Sequence, residues 1–333
     1  MRIVALEEHY TVPALVRQIG KDVIAARGFP PSDAPWSPAT QTEKLAELGQ
    51  PRLQAMDEGG ITLQVLSLAG PGADLLSPEA GPAWAREAND VLARAIAAHP
   101  GRYAGFAHLP LTAPEAAAAE LERAVKQLGF RGALVNGTTD GHFLDDPRFE
   151  PLLARAEALD VPIYIHPGIP PQPVRDAYYG ALPDDLSFLF SIAGWGWHAE
   201  TAVHILRLVL SGTLDRHPGL QLIIGHMGEG LPAMLARCDQ VFAAAAPRYL
   251  RRTVGETILD QVHVTTSGLF TVPPFLALLQ TFGADRILFS VDYPFSDNGK
   301  ARAFLDRLPV SPADRTKIAH GNADRLLKLA PAA

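Results

Sequence analysis

Short apolar runs punctuate the chain at RIVAL (residues 2–6), TLQVLSL (62–68), YAGFAHL (103–109), GALV (132–135), PIYI (162–165), QLIIG (221–225), VHVTTS (262–267) and RILFSV (286–291). Between most of them the apolar positions recur at helical spacing, in PAWAREANDVLARAIAAHP (82–100), PEAAAAELERAVKQLG (114–129), FEPLLARAEALD (149–160) and AETAVHILRLVLSGTLDRHP (199–218). A strand that is apolar at successive positions is covered on both faces, and amphipathic helices between such strands supply the cover. The alternation therefore predicts a parallel sheet. Eight strand–helix units over this length predict a closed (β/α)8 barrel, with an open doubly wound sheet as the alternative.

Three segments break the alternation: residues 19–42, 69–82 and 167–196 are irregular and rich in Pro and Gly. Each follows a strand, the first, second and fifth, on the side where a barrel carries its active-site loops. No charge-rich linker and no repeat beyond the strand–helix unit interrupts the sequence, so one domain over residues 1–333 is expected.

The polar residues that end the strands carry the chemistry. Strand one runs into Glu7, Glu8 and His9, strand five into His166, strand six into His226 and Glu229, and strand eight into Asp292. Buried groups of this kind are costly to desolvate unless a partner meets them, and a metal ion suits both imidazole and carboxylate. A barrel brings all its strand ends to one mouth. Side chains alternate along a strand, so Glu7 and His9 should share a face as a ligand pair while Glu8 points away. A single histidine after a strand is more often a hydrogen-bonded structural residue, and an Asp before Tyr293-Pro294 can be a turn former; four such strand ends together favour a site. His99, His142, His204, His217, His263 and His320 are read as structural.

Composition narrows the function. The formal charge is −7, with no basic run that could follow a phosphate backbone, so nucleic acid is not an expected partner. Cys238 is the only cysteine, which rules out an internal disulfide and a cysteine-built zinc site and fits a reducing compartment. Charges at Arg2, Glu7 and Glu8 leave no apolar core for a signal peptide, and no apolar run approaches the roughly 20 residues of a membrane span. A soluble, cytoplasmic protein with no membrane partner is expected.

The motifs VALEEHY, HPG, ILRLVLSGTLDRHPGLQLIIGHMGEGLP, TTSG, GADRILFSVDYPF and GNADRLLKL together resemble the amidohydrolase-2 group of the amidohydrolase superfamily, and within it the metal-dependent, non-oxidative aromatic decarboxylases such as the gamma-resorcylate (2,6-dihydroxybenzoate) and 2,3-dihydroxybenzoate enzymes. The likeness spans nearly the whole chain. It implies a (β/α)8 TIM barrel of the metal-dependent amidohydrolase type, with one divalent ion, zinc or manganese, held by Glu7, His9, His166 and Asp292. It further implies a His226–Glu229 dyad beside the metal, and an arginine at Arg237 that helps hold the active site or substrate. Where hydrolytic members carry H-x-H this chain has E-x-H, and no lysine ends strand four to bridge a second metal. The loops at 19–42 and 167–196 are individual, which leaves the ring substitution pattern open.

The expected reaction is decarboxylation of an ortho-hydroxylated aromatic acid, with Asp292 protonating the ring carbon and His226 and Glu229 relaying the proton or orienting substrate. Trp195, Trp197, Phe270 and Phe295 are either packing residues or walls for the ring, with Trp197 and Phe295 taken forward as substrate-binding. Two other readings stand beside it: a mononuclear metal-dependent hydrolase of a lactone or amide, and a barrel that only binds an aromatic ligand. A homo-oligomer, dimer or tetramer, is expected.

Overall fold

A computed structural model describes residues 1–329; the last four residues of the expected domain lie outside the described residues. Eight parallel strands follow one another around the molecule: β1 (Val4–Tyr10), β2 (Leu63–Leu68), β3 (Tyr103–Gly105), β4 (Ala133–Asn136), β5 (Ile163–His166), β6 (Leu222–Ile224), β7 (Val262–Thr265) and β8 (Ile287–Leu288). Neighbours pair in sequence order within two runs, β1 to β3 and β4 to β8. The parallel bridges Ala107–Ala133 and Leu6–Ser290 join the runs at both seams, giving the barrel.

The apolar pattern finds its reason in two packing layers. Val4, Leu6, Val65, Phe106, Leu134, Tyr164, Ile223 and Leu288 point into the barrel, where Leu134, Tyr164 and Ile223 stand in register, and Ala323, Leu327 and Leu329 of the C-terminal segment pack against them. The alternate residues, among them Ile3, Ala5, Ile163, Ile165, Leu222 and Ile224, pack outward against the helices. Both faces are used, as near-continuous apolar strands require.

The Gly81–Ala98, Pro114–Leu128 and Glu150–Leu159 helices lie where their periodicity predicts. Each has a proline in its first turn, where the missing N–H has no intrahelical partner to lose. The expected 199–218 helix is instead two, Gly196–Leu210 and Thr213–Arg216, because Gly212 at φ +71° turns the chain out of the helical region. Strand boundaries also shift: β3 and β8 are shorter than their apolar runs, and β1 is longer. Helices Gln50–Glu58, Leu231–Phe242, Val254–Gln261, Val272–Phe282 and Asn298–Asp306 complete the outer ring. Among the described residues no helix is long and apolar enough to cross a membrane.

Candidate metal centre

β1 does not run regularly to its end. Its pairing with β2 shifts between Ala5 and Glu8, and Glu7 takes φ +55°. Through this irregularity Glu7 and His9 reach the same cluster. Glu8 turns elsewhere, its two oxygens accepting from the Val291 N–H at 2.9 Å and the Gln64 amide at 3.0 Å, while Arg52 donates to Gln64. Burial pushes the Glu8 carboxyl up to about 8, with Val291 and Arg52 working against it.

Glu7, His9, His166 and Asp292 each offer a donor atom within 4.8 Å of the others. His9 Nε2 lies 3.2 Å from Asp292 Oδ1, and His166 Nε2 lies 3.4 Å from Glu7 Oε1. The atoms behind these donors fix their direction. His166 Nδ1 faces the Pro167 carbonyl at 2.8 Å and so carries the hydrogen, leaving the Nε2 lone pair for the cluster. His9 Nδ1 faces Ser67 Oγ at 3.4 Å. The Tyr164 hydroxyl donates to Glu7 Oε2, freeing Oε1. Glu7 Oε1 and His9 Nε2 are buried and make no hydrogen bond. Two imidazole nitrogens and two carboxylate oxygens with unspent acceptor capacity fit a divalent ion at ordinary ligand distances of roughly 2.1 Å. Burial opposes ionisation of Glu7, but His226, then His166 and His9, outweigh it and hold its carboxyl well below the usual carboxylate range.

Two glycines allow this crowding. A Cβ on Gly225 would come within 2.6 Å of Glu7 Oε2, and one on Gly268, at φ +63°, within 3.2 Å of Asp292 Oδ2. The backbone is strained at the same place. Of nine non-glycine residues with positive φ among those described, Glu7, His226, Met227, Glu229 and Asp292 cluster here. Such conformations cost about 1–3 kcal/mol each and persist where surrounding packing enforces them.

Next to the four donors stands the dyad. His226 Nδ1 lies 2.9 Å from Glu229 Oε1, and its Nε2 faces Glu7 Oε1 at 3.6 Å and Asp292 Oδ2 at 3.9 Å. Burial disfavours a charged ring at His226, yet Glu229 and Glu7 outweigh it and raise its pKa well above the ordinary value. Glu229 is held on its other side by His198, whose Nδ1 lies 2.5 Å from Oε2. Sequence reasoning missed His198, Tyr164 and Arg27; the only signal for His198 and Arg27 was that both fall near the long loops.

A pocket of about 310 Å³ opens onto the cluster, lined by His9, His166 and Asp292 together with Arg27, Trp197 and Phe295. The Phe295 ring lies 5.8 Å from His9 and the Trp197 ring 6.1 Å from His166. The other expected residues fall elsewhere. His226 and Glu229 sit behind the ligands rather than on the pocket wall. Trp195 is 59 % exposed and Phe270 packs on Phe304. Arg237 lies on the outward face of the Leu231–Phe242 helix, away from this chain's own pocket, exposed, and donates to Gln240 Oε1 across one turn. The pocket's guanidinium is that of Arg27, brought in by the loop after β1.

A barrel of parallel strands with a mononuclear E-x-H, His and Asp donor set at the strand ends defines a metal-dependent enzyme scaffold of the amidohydrolase type. The amidohydrolase family profile matches residues 9–329, and the chain belongs to that family. It is 40% identical over 340 residues to the gamma-resorcylate decarboxylase of Rhodococcus jostii (strain RHA1), covering 98% of each chain. The crystal structure of dihydroxybenzoic acid decarboxylase from Polaromonas sp. JS666, with bound manganese and the inhibitor 2-nitroresorcinol, superposes with a TM-score of 0.85 at 38% identity, covering 99% of this chain and 98% of that one. That of 5-carboxyvanillate decarboxylase from Novosphingobium aromaticivorans DSM 12444, complexed with manganese and 4-hydroxy-3-methoxy-5-nitrobenzoic acid, gives 0.89 at 28% identity over 98% and 96% of the two chains.

Proposed function

We propose that this protein is a metal-dependent, non-oxidative decarboxylase of an aromatic acid bearing a hydroxyl ortho to the carboxylate. The observation that carries the reading is a set of four metal donors of which three, His9, His166 and Asp292, open directly onto an aromatic-walled pocket of about 310 Å³, a volume suited to a single substituted ring. Glu7, His9, His166 and Asp292 would hold one divalent ion, manganese or zinc. When bound it supplies Lewis acidity and a fixed anchor for adjacent substrate oxygens.

The chain's own groups account for the rest. Cleaving an aryl–carboxylate bond directly would leave an electron pair in the ring plane without resonance stabilisation, so the ring carbon must be protonated first. The ortho hydroxyl feeds electrons to that carbon; Asp292 gives it a proton; the carbon–carboxylate bond then breaks, its electron pair restores aromaticity, and carbon dioxide leaves. Asp292 is placed for this, since it lines the pocket and its Oδ2 faces His226 Nε2. His226 and Glu229, off the pocket wall, can return a proton to Asp292 without touching the ring. Trp197 and Phe295 give the ring apolar walls, the Trp197 indole N–H, buried without a partner, can donate to a substrate oxygen, and Arg27 gives the anionic substrate a cation.

Incubating metal-loaded protein with a panel of hydroxybenzoates while following carbon dioxide tests this. Acids with an ortho hydroxyl should be turned over, and benzoate and 3-hydroxybenzoate should be inert. Comparable turnover of benzoate, or opening of a lactone or amide instead, would sink the reading.

The same proposal includes one barrel domain, a cytoplasmic location and a homo-oligomer. Trp195, Tyr178, Met234 and Val241, each more than half exposed on segments around the Gly196–Leu210 and Leu231–Phe242 helices, support association through that side. A monomeric mass in sedimentation equilibrium would contradict it.

A further inference from the structure

His198 stands outside the donor set and off the pocket wall, yet both of its ring nitrogens are engaged. Nδ1 lies 2.5 Å from Glu229 Oε2, and Nε2 lies 3.1 Å from the Ala193 carbonyl. Both partners are acceptors, and the ring bridges them. Glu229 in turn is fully engaged: Oε2 goes to His198 and Oε1 to His226 Nδ1 at 2.9 Å. Its side chain is inaccessible to solvent and its backbone sits at φ +55°. A carboxylate in that position has no water to fall back on, so losing one partner leaves a buried oxygen unpaired. His198, His226 and Glu229 offer donor atoms close enough for an ion. However, both carboxylate oxygens and the facing Nδ1 atoms are already spent on one another, so hydrogen bonding accounts for the group.

The two contacts of His198 connect different parts of the site. Ala193 and Trp197 line the substrate pocket, and the turn that carries them is closed by Trp197 N–H donating to the Ile192 carbonyl at 3.1 Å and His198 N–H to the Trp195 carbonyl at 3.0 Å. Glu229 belongs to the loop after β6, which turns His226 toward Glu7 and Asp292.

We infer that His198 is a positioning residue of the reaction: it clamps Glu229 Oε2, so that Oε1 alone is left to orient the His226 ring, and it ties that dyad to the pocket turn at Ala193. The inference rests on the decarboxylase reading only for its kinetic part. The clamp itself is a property of the resting protein.

Three substitutions and one spectrum test it. His198→Ala removes both contacts. His198→Asn places an amide N–H near the Nδ1 position and can keep the bond to Glu229. His198→Gln reaches instead toward the Nε2 position and Ala193. In zinc-loaded protein with 15N-labelled histidine, the His226 Nδ1 signal should move in the Ala and Gln variants and stay near its wild-type place in the Asn variant. With an acid the wild type decarboxylates, kcat should fall about 10- to 100-fold in the Ala and Gln variants, the range seen when outer hydrogen-bond partners around a metal site are lost. KM should change less, and Asn should restore most of the loss. One metal equivalent should remain in all three. The inference is overturned if the His226 signal is unmoved in Ala and Gln, if Gln performs as well as Asn, or if a second metal equivalent present in wild type is lost with His198. Should the Ala variant not fold, the Asn and Gln pair decides alone. A wild type that decarboxylates nothing, with a His226 signal that still depends on residue 198, counts against the proposed activity and not against the clamp.

Discussion

At Asp292 two demands meet in one side chain, since it stands 3.2 Å from His9 Nε2 among the metal donors and also lines the pocket where a proton must be delivered. Asp292→Asn keeps the size and one oxygen but has no proton to give. The variant should still bind metal in part and a 2-hydroxybenzoate inhibitor, while decarboxylation falls about 10²- to 10⁴-fold. Exchange of ring hydrogen of the phenol product with deuterated water isolates the proton step, and near wild-type exchange would move the acid to His226 and Glu229. The histidines separate by what they face. His9→Ala and His166→Ala should lose metal and activity together, read by elemental analysis, which should find one equivalent in wild type. His217→Ala should keep both and lose stability instead, because its ring is buried between Glu150 at 2.8 Å and Glu157 at 2.9 Å. Tyr164→Phe removes the hydroxyl that occupies Glu7 Oε2. Metal affinity should drop about 10- to 100-fold with the ligands all present, and an unchanged dissociation constant would show that Thr265, whose hydroxyl lies 3.5 Å from the same oxygen, alone suffices to hold it.

At the scale of elements, the helices are tied to the barrel by buried polar groups whose charge state matters. His204, in the Gly196–Leu210 helix, accepts from the Leu144 N–H at 3.0 Å in the segment after β4, against the Phe143 ring and beside Arg207, which is paired with Asp145. Burial, helped by Arg207, lowers its pKa to about 3. Burial likewise takes His263 of β7, beside Arg286, to about 3. The unfolded chain therefore binds more protons at these rings between about pH 6.5 and 3. Their contribution to stability is full above about 6.5 and is lost as pH falls through that window. His204→Gln keeps an acceptor for Leu144 without titrating. Its denaturation midpoint should depend less steeply on pH between 6.5 and 4 than that of wild type, and parallel curves would exclude His204 as a source of the acid limb.

Across the whole molecule, the metal centre concentrates cost: buried carboxylates, the unpaired Nε2 of His9 and five left-handed backbone residues lie at one end of the barrel. The barrel interior and most of the layer between strands and helices are filled by apolar side chains. An ion that binds this arrangement and not the unfolded chain should add about 2.7 kcal/mol when loaded at a hundredfold excess over Kd. Chelation should lower the thermal midpoint by a few degrees and manganese should restore it. Equal midpoints in scanning calorimetry would mean that the donors are not assembled in the free protein.

What the sequence by itself determined is the part set by periodicity and by strand ends. Apolar runs that need cover on both faces could only form a parallel sheet with helices around it, and alternation separated Glu8 from Glu7 and His9. That the latter two face the mouth was decided by the register shift at Glu7, since Val4 and Leu6 point into the barrel and unbroken alternation would have sent Glu8 after them. The motifs that carry the family resemblance lie on those same strand ends, which is why the candidate ligands could be read together. Tertiary structure decided the rest, because it depends on which loop returns to the mouth. No local pattern indicates that His198 reaches Glu229, that the Tyr164 hydroxyl meets Glu7, or that Arg27 enters the pocket while Arg237 faces outward on its helix. These contacts join residues about 30 to 160 positions apart. Their partners are chosen by barrel closure and loop packing, and hydropathy along the chain carries no record of either.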